Sequence, residues 1–76
     1  MDLVERVGTS RVLPDPKQRR ALRRALGIGQ REMATELGVS VQTISAWENG
    51  KAAPTGARRE RYAALLARMK HEAGGG

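Results

Sequence analysis

The chain has 76 residues, no cysteine, nine glycines and a formal net charge of +6. A single domain of that length buries only about 60% of its unfolded surface, which leaves little room for a cofactor cavity, and the missing cysteines exclude disulfides and thiolate metal sites. A pI near 11.1 suits a polyanionic partner, either nucleic acid or an anionic membrane surface, and composition does not choose between them.

Residues 1–14 read as an N-terminal extension. Leu3-Val4 and Val7 could form one short amphipathic turn, Gly8-Thr9-Ser10 breaks it, and Val12-Leu13-Pro14 is an extended connector, since the residue before a proline avoids the α region. The opening Met1-Asp2-Leu3-Val4-Glu5-Arg6 lacks the basic-then-apolar layout of a signal peptide, and no apolar run approaches the roughly 20 residues of a membrane span. A soluble, cytoplasmic module is the expectation.

Asp15-Pro16-Lys17-Gln18 is the first strong helix signal: an N-cap, a proline at the first helical position and a glutamine placed to close a capping box. Ala21, Leu22, Ala25 and Leu26 then recur at helical spacing, and Gly27 ends the segment. A second helix follows Gly29, with Gln30 in first position, Glu32 reaching back to the first-turn amides, and Met33, Ala34 and Leu37 as the buried stripe. Gly38 stops it and Ser40 caps a third helix, whose apolar side is Ile44 and Trp47 with Val41 at the margin. Asn49-Gly50 ends that helix, residues 50–56 form a turn, and Thr55 is placed to cap a last helix over about 56–72, followed by a flexible Gly tail over 73–76. On the last helix Tyr62, Leu65, Leu66 and Met69 line one face, and Met33, Leu37, Ile44, Trp47, Leu65, Leu66 and Met69 are the expected core.

The predicted architecture is all-α, with four to five helices in one domain over 15–72. Only Gly38-Val39-Ser40 separates the second and third helices, too little chain to reverse into a hairpin, so they must cross steeply as a helix-turn-helix over 30–50. Charge is laid out around that unit. Residues 1–29 carry seven basic and three acidic side chains (+4), residues 30–50 one and three (−2), and residues 51–76 six and two (+4). Eleven of the fourteen cations are Arg, which suits bidentate phosphate pairing; codon usage in a GC-rich genome would leave the same bias.

The string Leu22-Arg23, Gly27 through Ala34, Leu37-Gly38-Val39-Ser40, Thr43-Ile44-Ser45, Trp47-Glu48-Asn49-Gly50 and Pro54 resembles the Cro/repressor-like (Xre-type) helix-turn-helix domains of phage repressors and bacterial regulators. The resemblance covers roughly residues 17–70 and implies a lambda-repressor-like DNA-binding domain with its third helix in the major groove. It implies base readout from the early turns of the third helix, Ser40 at its start and then Val41, Gln42, Thr43, Ser45 and Ala46, and phosphate contacts from Gln30, Asn49 and Lys51. It also implies an ion pair between Arg23 and Glu48 that locks the first helix to the third. Physical chemistry adds that helix N-termini at Gln30 and Ser40 welcome phosphate, and that Gln42 can pair bidentately with adenine. Val41 and Ala46 stand where long polar readers are usual, so affinity should lean on flanking cations, with Arg58 and Arg59 foremost, then Arg61, and Lys17, Arg19 and Arg20 from the first helix.

The expected function is therefore sequence-specific binding of double-stranded DNA by a phage- or bacterial-type transcriptional regulator, most simply a repressor. No cofactor, metal or small-molecule substrate is expected, and catalysis lacks a site: His71 is the only histidine, and no base faces Ser40 or Ser45 in the pattern. The alternative is a protein-interaction module, antitoxin-like or adaptor, on the same scaffold, favoured by Val41 and Ala46. A membrane-surface role for the last helix ranks third, since its apolar side is poor in bulky residues. Homodimerisation stays open, because the last helix is long enough for a dimer seam but its apolar face can equally be consumed in the core.

Overall fold

The computed structural model describes residues 13–74. The short N-terminal turn expected around Leu3 to Val7 lies outside the described residues, as do Gly75 and Gly76 of the tail. Four helices are present: α1 (Pro16–Ala25), α2 (Gln30–Leu37), α3 (Val41–Glu48) and α4 (Gly56–Ala73). No strand occurs among the described residues.

Local chemistry sets the starts and stops. Asp15 accepts the Gln18 amide at 2.8 Å while the Gln18 side chain accepts the Asp15 amide at 3.2 Å, so the capping box closes both ways. Glu32 accepts the Gly29 amide at 2.8 Å and does the same service for α2 without a capping side chain at Gly29. Gly38 ends α2 at φ +70°, a left-handed conformation that only glycine adopts without strain, and its neighbour Val39 donates back to the Ala34 carbonyl at 3.0 Å. Ser40 then caps α3 by accepting the Thr43 amide at 3.1 Å. At α4 the expectation is corrected: Thr55 occupies the N-cap position but its side chain makes no capping bond, and the helix runs through Ala73 with Gly74 donating to the Lys70 carbonyl.

α3 packs on α2 and α1, and α4 closes the other side against α1 and α2. The core is Met33, Ala34, Leu37, Ile44, Trp47, Tyr62, Leu66 and Met69, with Val39 wedged half-buried at the elbow of the helix-turn-helix. Trp47 and Tyr62 stack with ring centroids 5.0 Å apart, joining α3 to α4 through side chains. Leu65, expected inside, is only half-buried, and Pro54 in the turn is buried.

α1 shows the clearest departure from the sequence reading. Ala21 and Ala25 are exposed, and the inward stripe is Arg19, Leu22, Arg23 and Leu26. Arg19 is 5% exposed; it donates to the Pro14 carbonyl and, at 2.8 Å, to the Trp47 carbonyl at the C-terminal end of α3, with its guanidinium 5.5 Å from the Tyr62 ring centroid. A cation at that end of α3 meets the negative pole of the helix, and a long aliphatic stem fills space that alanine would leave empty. Arg19 is thereby removed from the set of cations available to a phosphate.

Tyr62 is fully buried, its hydroxyl has no hydrogen-bond partner among the described residues, and burial pushes that hydroxyl up from its ordinary pKa. Tyr62→Phe keeps the ring stack and removes the unmatched oxygen. Its denaturation midpoint is expected to stay equal or rise, by up to about 1 kcal/mol in stability. A loss of about 2 kcal/mol or more would mean that the hydroxyl is bonded in solution.

Candidate nucleic-acid interface

Two helix N-termini and one helix C-terminus supply the expected site residues around α3, and the start of α4 carries Arg58 and Arg59. Gln30 opens α2, Ser40 through Ala46 form the cap and early turns of α3, and Asn49 and Lys51 follow its end. Ile44 and Trp47 are buried, so helical geometry turns Gln42, Ser45 and Ala46 away from the core and leaves Val41 and Thr43 at its margins.

Not every outward residue is free to read a base. The Ser40 and Thr43 hydroxyls bond each other at 3.0 Å, and the Ser40 oxygen also accepts the Thr43 amide. Asn49 donates from its side chain to the Ser45 hydroxyl at 3.3 Å. Val41 is half-buried against the core, and Ala46 is half-buried with its carbonyl accepting the Lys51 amide at 2.9 Å. Gln42 alone among the five is exposed. Gly50, at φ +74°, makes the turn that brings the Lys51 amide back onto α3, and the Lys51 side chain is exposed.

Behind this rim lies a buried polar hub. Glu48 is 2% exposed and accepts from Arg23 through both oxygens, 2.7 Å from the Arg23 Nε and 2.9 Å from its terminal nitrogen. Arg23, 7% exposed, also donates to the Ile28 carbonyl at 2.7 Å, so one guanidinium holds α1, the α1–α2 link and α3 together. Burial alone would push the Glu48 carboxyl up, but the hydrogen bonds from Arg23 and Gln30, with the Arg23 charge, outweigh it and hold the carboxyl below its ordinary value. The bond to Glu48 likewise raises the Arg23 guanidinium above its own, so the pair is fully ionised and internally neutral.

Two links were not legible from spacing. Gln30 donates its side-chain amide to the Glu48 carboxylate at 3.1 Å across eighteen residues of chain. Arg20, half-buried on α1, reaches the Asn49 side-chain oxygen at 3.5 Å, which puts a basic residue of α1 beside the end of α3. Gln30, Asn49 and Arg20, from three helices, are therefore gathered on one rim in front of the buried Glu48. Arg58 and Arg59 are not drawn into it by any bond: Arg58 is exposed and Arg59 half-buried on the first turns of α4, while Arg61 donates to the Glu36 carbonyl at the end of α2. No cluster of three or more potential metal ligands exists among the described residues, and no described helix is long and apolar enough to cross a membrane.

A short glycine elbow between two packed helices, with the second presenting polar side chains from its first turns, defines a helix-turn-helix unit. The chain belongs to the Cro/C1-type helix-turn-helix family HTH_3, which matches residues 20–68, more than half its length. That is a family of DNA-binding transcription regulators whose domains bind double-stranded DNA. No curated protein and no solved structure matches the chain.

Proposed function

We propose that the protein is a sequence-specific transcriptional repressor that lays α3 in the major groove of double-stranded DNA. Gln42 is the principal base reader, with methyl contacts from Val41 and Ala46 and secondary contributions from the Thr43 and Ser45 hydroxyls. Gln30, Asn49, Lys51 and the first-turn amides at Ser40 bond phosphates close to α3, and Arg20 joins them from α1. Arg58 and Arg59 add phosphate contacts farther out, where the backbone runs past the start of α4. The observation that carries this reading is the exposed Gln42 on the first turn of α3, where the neighbouring Ser40, Thr43 and Ser45 hydroxyls are already bonded locally.

A glutamine amide matches adenine N6 and N7 in the major groove, and losing such a pair removes about 1–3 kcal/mol of discrimination. Selection from a random duplex library is expected to enrich one motif with the wild type. With Gln42→Ala the same motif should appear with its preference erased at one adenine. If the wild type enriches nothing at moderate salt, the specific-regulator reading fails and a protein partner for this surface takes its place. An unchanged motif with Gln42→Ala would show that α3 is docked differently.

A further inference from the structure

We infer that Glu48 is a positioning residue for DNA binding, acting through Gln30 in addition to its ion pair with Arg23. The inference rests on the DNA-binding reading above and assigns the origin of its innermost phosphate contact. The Glu48 Oε1 atom takes two donors, the Arg23 terminal nitrogen at 2.9 Å and the Gln30 Nε2 at 3.1 Å. A carboxylate only accepts, so it selects one orientation of the Gln30 amide, with the NH2 group turned toward it. One of the two Nε2 protons is then spent on Glu48 and the other remains. A phosphate is also acceptor-only, and it needs that remaining proton rather than the amide oxygen. Without Glu48, the Gln30 amide would turn freely and present its oxygen as readily as its nitrogen.

Charge makes this arrangement workable beside DNA. A lone carboxylate so close to a phosphate would repel it, but Arg23 neutralises Glu48 within the domain. Gln30 itself is only half-buried, so the residue is partly open to solvent beside its bond to Glu48. The position is also anchored at both ends: Gln30 is the first residue of α2 and Glu48 the last of α3. The two helices of the motif are thus tied at the rim as well as at the Gly38 elbow, and the tie runs through the phosphate donor.

The test is a double-mutant cycle on affinity for a mixed-sequence duplex at low salt, using Gln30→Ala, Glu48→Asp and both together. Aspartate keeps the charge that Arg23 needs but draws the oxygen back from Gln30 by one methylene. Gln30→Ala is expected to weaken wild-type binding about tenfold, and to weaken the Glu48→Asp protein less than about twofold. Equal losses in the two backgrounds would reduce Glu48 to a structural lock and overturn the inference. No loss on Gln30→Ala overturns it too, while leaving the DNA reading intact; a wild type that binds no duplex removes that reading itself. Should Glu48→Asp fail to fold, the wild type still decides by NMR. In the free protein one Gln30 side-chain amide proton should be shifted and protected from exchange relative to its geminal partner, and added duplex should shift mainly that partner. Two protons behaving as in a free amide, or no shift with duplex, would refute the positioning role.

Discussion

Replacing Glu48 with alanine is expected to destabilise the domain by about 3–5 kcal/mol, measured by urea or thermal unfolding, because Arg23 is left as an uncompensated buried cation. A protein of this length has only about 4–11 kcal/mol of total stability, so the variant should sit at or near the unfolding threshold at ordinary temperature. Arg23→Ala should do comparable harm from the other side, stranding the carboxylate with Gln30 as its single donor. The double replacement Arg23→Met/Glu48→Leu should be far milder than either single alanine change, since apolar groups of similar size avoid the desolvation penalty altogether. A Glu48→Ala protein within about 1 kcal/mol of wild type would place the pair in solvent and contradict the buried hub. The same hub gives stability a pH dependence. The Glu48 carboxyl titrates below its ordinary value in the folded chain, so the unfolded chain binds the proton first as pH falls. Its contribution is therefore present above the ordinary carboxylate range and is lost progressively as pH drops through that range to the lower folded value. Glu48→Gln should flatten that acid limb of the stability curve.

DNA affinity is expected to fall steeply with salt. Arg20, Lys51, Arg58 and Arg59 are the four cations proposed on phosphates, and at a slope of about −0.9 per neutralised phosphate they give log K a slope near −3.6. Raising salt from about 50 to 200 mM should then weaken a single copy about 150-fold, and two copies on paired half-sites should roughly double the slope. Arg58→Ala/Arg59→Ala should reduce the slope by about 2 and Arg20→Ala by about 1, each weakening all sequences alike, in contrast to Gln42→Ala. A slope unchanged by removing Arg58 and Arg59 would return those side chains to the role of a solvated helix face. The distinction matters because no bond draws them toward α3, unlike Arg20 with its contact to Asn49.

The helices themselves were largely legible from the chain. Asp15 with Gln18, Gly29 with Glu32, Gly38 and Ser40 are local devices, each acting within three or four residues, and they set the boundaries where they were expected. Ile44 and Trp47, three apart, placed α3 with its polar side outward for the same reason. Thr55 misled because the preference for threonine at a cap describes many helices, and here the side chain forms no bond to the first turn. On α1, periodicity pointed at Ala21 and Ala25 because alanine counts as apolar, whereas the buried stripe is carried by Arg19 and Arg23. Their burial depends on what stands opposite: the Trp47 carbonyl for one and the Glu48 carboxylate for the other.

The +6 charge, the short elbow and the order of capping residues were sufficient, in the sequence alone, to determine a small all-α helix-turn-helix protein with basic flanks. Those features act through neighbours in the chain or through simple sums, so no fold was needed to read them. Tertiary structure decided which cations remain available and which polar groups are already engaged. It withdrew Arg19 into the core, brought Arg20 to Asn49, and tied Gln30 to Glu48. The larger of these links join residues eighteen or more positions apart. Their existence depends on how three helices cross, and no periodicity within one helix encodes that crossing.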